Sequence, residues 1–317
     1  MPSCIVPASG SNLRVLMDFE DCFGVTPSST AAVIIPCTTL DVNLSQPPQQ
    51  RATLRAGRHS SKPFYGNKSI TGTMTGPVGE QSIGYILKAY LGSPDSTATD
   101  EWIFSVDSTT PSFVVAKEFT DLGEYYVYNG CKATTLSFTF NTDNELIYNL
   151  GFIAASETPQ DVTYDSNPED LSDELFYDNP EIGTNIEEGG VADEIIEELT
   201  VNLNNGPTLA YTLSGAGEAT YAADGKLEVS GTIRGIFINT DILDKGIAHI
   251  ESSLDLTLTK SSNYLRAFIP ELEWSQESPS VTGPGIVELN LTFIGFYQNS
   301  TEASDIVFYL YNSHGAY

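Results

Sequence analysis

Apolar and polar residues alternate through most of this chain. In Leu40-Asp41-Val42-Asn43-Leu44 and Leu136-Ser137-Phe138-Thr139-Phe140 every second side chain is apolar, so each segment has one face to bury and one to leave in water. Residues 31–35, 102–106, 112–116, 125–128, 133–140 and 145–154 read as strands by the same pattern or by β-branched and aromatic content. Asn129-Gly130 and Asp143-Asn144 stand at turn positions between them. Residues 13–17 predict a further strand within a Pro-, Ser- and Gly-rich N-terminal arm. One stretch keeps a different period: Ile83, Ile86, Leu87, Tyr90 and Leu91 follow helical spacing, with Gly92 and Pro94 as a stop, and predict a helix with one face against a sheet.

The pattern then repeats. Lys68-Ser69-Ile70-Thr71-Gly72-Thr73-Met74-Thr75-Gly76 returns as Glu228-Val229-Ser230-Gly231-Thr232-Ile233-Arg234-Gly235, with Gly231 standing 159 residues after Gly72 and Gly235 the same distance after Gly76. The same ungapped offset pairs Leu40, Val42, Asn43 and Leu44 with Leu199, Val201, Asn202 and Leu203, and Ile83 with Ile242. A register held this long argues for two copies of one unit. In the second copy residues 199–203, 227–233, 254–259, 264–274, 285–296 and 306–311 read as strands, and Ile242, Leu243, Ile247 and Ile250 stand where the first copy has its helix, although Gly246 weakens helical propensity there. The expected division is a first domain at 1–156, an acidic linker or insertion at 157–198 and a second domain at 199–317.

Charge sharpens this division. The formal net charge is −28, and residues 157–198 hold fifteen Asp or Glu and no Lys or Arg, a composition expected to build no core. Against that background five of the fourteen basic residues, Arg51, Arg55, Arg58, Lys62 and Lys68, fall in one polar loop, which is expected to meet acidic surface elsewhere. So acidic a chain is ill suited to bind nucleic acid or anionic lipid, because such binding needs Lys and Arg. Cys4, Cys22, Cys37 and Cys131 show no metal or disulfide spacing and are expected to be reduced and mostly buried. No basic, apolar leader opens the chain and no apolar run is long enough for a membrane helix, so neither a secretory signal nor a helical membrane span is expected.

Catalytic chemistry finds little support. His59, His249 and His314 lie in unrelated contexts, and no metalloprotease, nucleophile-elbow or Walker-type motif is present. Carboxylates cluster at 165–178 without the spacing of an EF-hand. Gly72, Gly76 and Gly79 resemble a Gly-rich loop only by spacing and mark bulges or close backbone approach, while Gly72, Gly76, Gly231 and Gly235 form the core motif of the repeat. No enzyme activity, metal or cofactor is expected.

Taken in order, Ile70-Thr71-Gly72-Thr73-Met74, Tyr85-Ile86-Leu87-Lys88-Ala89-Tyr90-Leu91-Gly92, Tyr128-Asn129-Gly130-Cys131-Lys132, Phe268-Ile269-Pro270 and Val281-Thr282-Gly283-Pro284-Gly285 resemble the tail tube proteins of long-tailed bacteriophages. The resemblance implies a mainly β chain of two tandem β-sandwich or barrel domains, each flanked by one α-helix. It also implies a structural virion protein assembled in the host cytoplasm, whose strands join side by side into rings. Stacked rings would conduct DNA without binding it specifically, and other tail proteins would cap the tube. Two fused copies suggest a homotrimer with pseudo-six-fold symmetry; the alternative is a homohexamer with one copy inside and the other decorating the outside. The basic loop would then reach the adjacent ring. An outer-membrane β-barrel and a two-domain adhesin or carbohydrate-binding module are the rival readings.

Overall fold

The computed structural model describes residues 7–52, 59–98, 100–142, 145–171, 173–178, 183–192, 195–279, 281 and 283–317. The first copy runs β1 (Leu13–Phe19), β2 (Val33–Ile34), β3 (Thr39–Ser45), β4 (Pro48–Gln49), β5 (Phe64–Tyr65), β6 (Ser69–Pro77) and α1 (Ser82–Leu91). It continues with β7 (Asp95–Ala98), β8 (Glu101–Ser105), β9 (Phe113–Phe119), β10 (Glu124–Asn141), β11 (Ile147–Ala154) and β12 (Ser156–Gln160). After the short β13 (Glu169–Asp170) come β14 (Gly183–Glu188), β15 (Val191–Ala192), β16 (Ile196–Asn204), β17 (Thr208–Tyr211), β18 (Ala219–Ala223) and β19 (Glu228–Ile236). The chain closes with α2 (Asp241–Ala248), β20 (Ser252–Lys260), β21 (Asn263–Trp274), β22 (Glu288–Gly295) and β23 (Val307–Tyr311). Apart from the small hairpins β4–β5 and β17–β18, the strands form one barrel-like sheet system.

The pairings repeat strand for strand. In the first copy β3 pairs β6, β6 pairs β11 and β11 pairs β10, while β10 also pairs β9 and β12, and β9 pairs β1. In the second, β16, β19, β22 and β21 follow in the same order, with β21 also pairing β20 and β23, and β20 pairing β14. The long strands β10 and β21 each serve two sheets, which closes each copy around its apolar interior. Ile70, Met74, Leu150, Phe152, Leu136 and Phe138 fill the first copy and Val201, Ile233, Leu291, Phe293, Leu256 and Ile269 the second, all within one core cluster.

The repeat glycines are required by space. A Cβ on Gly72 would lie 2.2 Å from the Phe152 ring, and one on Gly231 2.3 Å from the Phe293 ring. Gly76 and Gly235 lie against backbone, where a Cβ would stand 2.6 Å from the carbonyl oxygens of Pro36 and Ile195 respectively. The far end of each aromatic ring occupies the space left bare on the neighbouring strand, and both copies use the same device.

The two helices are packed differently. Every α1 residue but Lys88 is buried, and the Lys88 ammonium sits over the Phe19 ring at 4.1 Å. The outer side of α1 meets the C-terminal tail, where a Cβ on Gly84 would strike the Tyr317 ring. In α2 only Ile242 and Gly246 are buried. Gly246 is tolerated because the Ser275 carbonyl passes over it, at 2.6 Å from where a Cβ would stand. Asp241 and Asp244 in its first turn and Lys245 in its last favour the helix dipole, and His249 ends the helix in the left-handed region at φ 53°.

Three expectations are corrected. Asn129-Gly130 is no turn; it lies inside β10, where Gly130 at φ +64° makes the register shift between Tyr128 and Cys131 that carries the strand from one sheet to the other. The acidic stretch at 157–198 is no coreless linker. It supplies β12 to β15 and the start of β16, and Leu171 and Tyr177 are buried in the main core. Its Glu174 accepts hydrogen bonds from the Gln81 and Ser82 amides at 2.7 and 2.8 Å, at the start of α1, where a carboxylate meets unpaired N–H groups and the positive end of the helix dipole. Among the described cysteines Cys131 is buried but Cys22 is exposed and Cys37 half-buried; all three are free. Cys4 lies outside the described residues.

Replacing Gly72 or Gly231 with Ala should destabilise the chain by about 1–3 kcal/mol through overpacking. Gly231→Ala should cost more, because its Cβ would also stand 2.3 Å from the Thr200 carbonyl oxygen, which moves less readily than a ring. Urea unfolding of the two variants checks this order.

Candidate functional site: the polar face and its joints

The pairing registers align polar side chains into rows. Thr39, Thr75, Asn149, Ser137, Asn202, Ser230, Ile294 and Glu273 lie opposite one another in turn across eight successive strands, β3, β6, β11, β10, β16, β19, β22 and β21. A neighbouring row runs Ile147, Thr139, Thr200, Thr232 and Thr292. These positions are exposed or half-buried, while their sequence neighbours point into the core. The face is therefore mainly hydroxyl and carboxamide. Asn149 Nδ2 donates to Thr75 Oγ1 at 3.1 Å, one cross-strand contact of this kind.

One basic residue occurs in these strands from β10 Ala133 onward, apart from the lower part of β21: Arg234, on β19. Its Nη1 donates to Glu197 at 2.8 Å and its Nε to Glu198 at 3.2 Å, with Glu288 at 3.5 Å. The hydrogen bond to Glu198 raises its pKa above the ordinary value; burial opposes this, and the charges of Glu197, Glu198 and Glu288 add to the rise. Three acids thus neutralise the one cation that could hold a phosphate.

The sheet crosses from one copy to the other where β10 pairs β16, Thr135 opposite Asn204 through Asn141 opposite Glu198. Lys132 fastens this joint. Its ammonium, in a side chain only 8% exposed, donates to both Asp224 oxygens at 3.0 and 3.1 Å and also to Thr110 Oγ1, while the Thr110 N–H and hydroxyl bond the same carboxylate. Burial acts to raise the Asp224 pKa, but the donors from Thr110 and Lys132 outweigh it and hold the group below 3.8, its ordinary value. A second crossing joins β8 to β23 on the outer layer.

Of the basic loop, Lys68 meets acid within its own chain: Nζ lies 2.6 Å from Glu218, the Lys68 N–H donates to Gly217 O, and Tyr211 donates to the Lys68 carbonyl. The hairpin of the second copy is thereby tied to the loop of the first. Arg51 lies over the Phe64 ring at 5.3 Å and Lys62 is exposed; Arg55 and Arg58 lie outside the described residues. Sequence reasoning missed Lys132 and Asp224, whose partnership across 92 residues has no local signal.

Other chemistry is structural. Among the described residues no three His, Cys, Asp or Glu are grouped to hold a metal ion. Asp165, in the acidic stretch, is taken up by the amides of Asn167 and Ala32. His314 packs at 3.0 Å from the Tyr85 hydroxyl, beside Tyr317. No helix of the described residues is long and apolar enough to cross a membrane.

A family model for phage tail tube proteins matches residues 10–295, which is most of the chain. The chain belongs to the phage tail tube protein family. This tail tube protein is thus a structural component of the bacteriophage virion tail, and its β-rich fold agrees with that membership. As a tail tube protein it self-assembles and meets other tail proteins in the virion. No curated protein matches the chain.

Changing Lys132 to Met should cost this tail tube protein about 3 kcal/mol, because it leaves Asp224 largely buried without its cation. The depressed Asp224 pKa also sets a direction with pH: its contribution is complete above 3.8 and is lost as pH falls through the lower folded value. Acid titration of unfolding should show this loss in the wild type and a smaller one in Asp224→Asn.

Proposed function

We propose that three chains close into a ring in which the eight-strand sheet of each chain lines a channel for DNA, and that rings stack into the tail tube. The observation that carries this reading is the mainly polar face of one sheet whose strand pairing runs unbroken through both copies, so each chain contributes two units of wall in series. A hexameric ring with one copy inside and the other outside would require the second copy to leave the lining sheet, yet that copy supplies β16, β19, β22 and β21, half of the row.

The chemistry of the face suits passage of a polyanion. DNA binding draws its strength from lysine and arginine at phosphates. Hydroxyls and amides offer weak, readily exchanged hydrogen bonds instead, and the neutralised Arg234 with carboxylates at Asp41, Glu228 and Glu288 keeps the potential negative. The protein then acts as a conduit and catalyses nothing. Closure into a ring also covers β3, which among the described residues pairs through β6 alone and would otherwise stand as an open edge.

Electron microscopy of tubes formed by the purified chain tests the stoichiometry. Rings should show three-fold symmetry for whole chains with six similar wall units. Six-fold density for whole chains would overturn the trimer.

A further inference from the structure

The joint between the two copies has a counterpart that meets no partner strand among the described residues. β10 continues to Asn141 because β16 lies beside it, whereas β21 ends at Trp274. The repeat registers identify the corresponding residues. Lys132 stands opposite Ile153, which stands opposite Thr71; Glu273 stands opposite Ile294, which stands opposite Ser230, 159 residues after Thr71. Glu273 therefore occupies the place of Lys132. By the same offset, Asp224 corresponds to Tyr65. Tyr65 sits in β5 beside Phe64, whose ring carries the Arg51 guanidinium, in the loop that also holds Lys62.

The charges at the two joints are thus opposite in sign. Inside the chain a base in the middle of the long strand β10, just before its pairing with β16 begins, meets an acid before β19. At the free joint an acid, the exposed Glu273, awaits the two exposed bases Arg51 and Lys62, which lie between β4 and β5, before β6. We propose that Glu273 of one chain docks against Arg51 and Lys62 beside the β4–β5 hairpin of a second copy of this chain, with the geometry of the Lys132–Asp224 joint and the reverse polarity. The inference rests on the ring reading and adds the contact that orders the ring. It places the loop on the neighbour within a ring, where sequence alone suggested the adjacent ring.

Reversed polarity also excludes wrong partners. A neighbour's basic loop offered to Lys132 meets like charge, and a neighbour's Asp224 offered to Glu273 does too. Only the order first copy, second copy, first copy of the next chain joins opposite signs everywhere. Strand pairing alone lacks this direction, since the four-strand series is the same in both copies.

The apolar surface around this place agrees with a covered joint. Ile247 and Ile250, at the end of α2, are 57% and 52% exposed. The corresponding Lys88 and Leu91 of α1 are half-buried and buried, in a copy whose helix packs against β8 of the β7–β8 hairpin, an element that the second copy lacks, because α2 leads into β20 through three residues.

The test is a charge exchange in the full-length chain, with assembly followed by sedimentation and electron microscopy and folding by circular dichroism. Glu273→Lys alone, and Arg51→Glu with Lys62→Glu, should each raise the concentration needed for ring formation on the order of tenfold or more, and the three changes together should restore most of it. Folded variants that assemble like the wild type, or a triple variant no better than either parent, would overturn the contact while leaving the ring reading intact. A wild-type chain that never forms rings would overturn the ring reading and this contact with it.

Discussion

The pairing of β10 with β16 is the constraint on which the rest of the molecule depends. A strand of 18 residues is long enough to serve two sheets, and the shift at Gly130 lets it bend from the outer sheet, where β9 and β12 flank it, into the inner one. Its second half then has a partner on both sides, β11 from its own copy and β16 from the next. From Thr135 to Thr139 the strand is paired on both sides, through sheet that belongs to two repeat units. The copies are consequently not beads on a linker. They are consecutive stretches of one wall, and Lys132 with Asp224 fastens the seam at its buried end.

Much of this was legible in the sequence, for physical reasons that can be named. Alternation exposed the strands, and in α1 the spacing of Ile83, Ile86, Leu87, Tyr90 and Leu91 revealed the one helix that the core fully encloses. The repeat was legible because Gly72 and Gly231 each lie under an aromatic ring and Gly76 and Gly235 each against a carbonyl, so no other residue fits at either pair. What misled was composition and local turn chemistry. Fifteen acids at 157–198 suggested a solvated chain, but a charge count does not register that amides at the start of α1 satisfy Glu174 or that Lys245, Ser252 and Trp274 surround Glu188. Asn-Gly suggested a hairpin, whereas the same left-handed glycine serves equally as a bulge. The polar rows could not be read at all before registers were known, because their members lie on eight strands scattered through the chain.

The function of the wall follows from which interactions it withholds. Six of the eight members of its longest row carry a hydroxyl or a carboxamide, and the arginine nearby is saturated by acid. Stability comes from the opposite face, where Phe152 and Phe293 pack on glycine and the core runs through both copies. A single alternating sequence thus separates the two demands: cohesion on one side, weak contact with a passing polyanion on the other.

Hydrogen exchange along β3, compared between the isolated chain and assembled tubes, tests most directly whether the wall continues from chain to chain. The amides of Thr39–Ser45 that point away from β6 should exchange rapidly in the isolated chain and become protected in the tube. Exchange there that is unchanged by assembly would contradict a lining sheet closed through this edge.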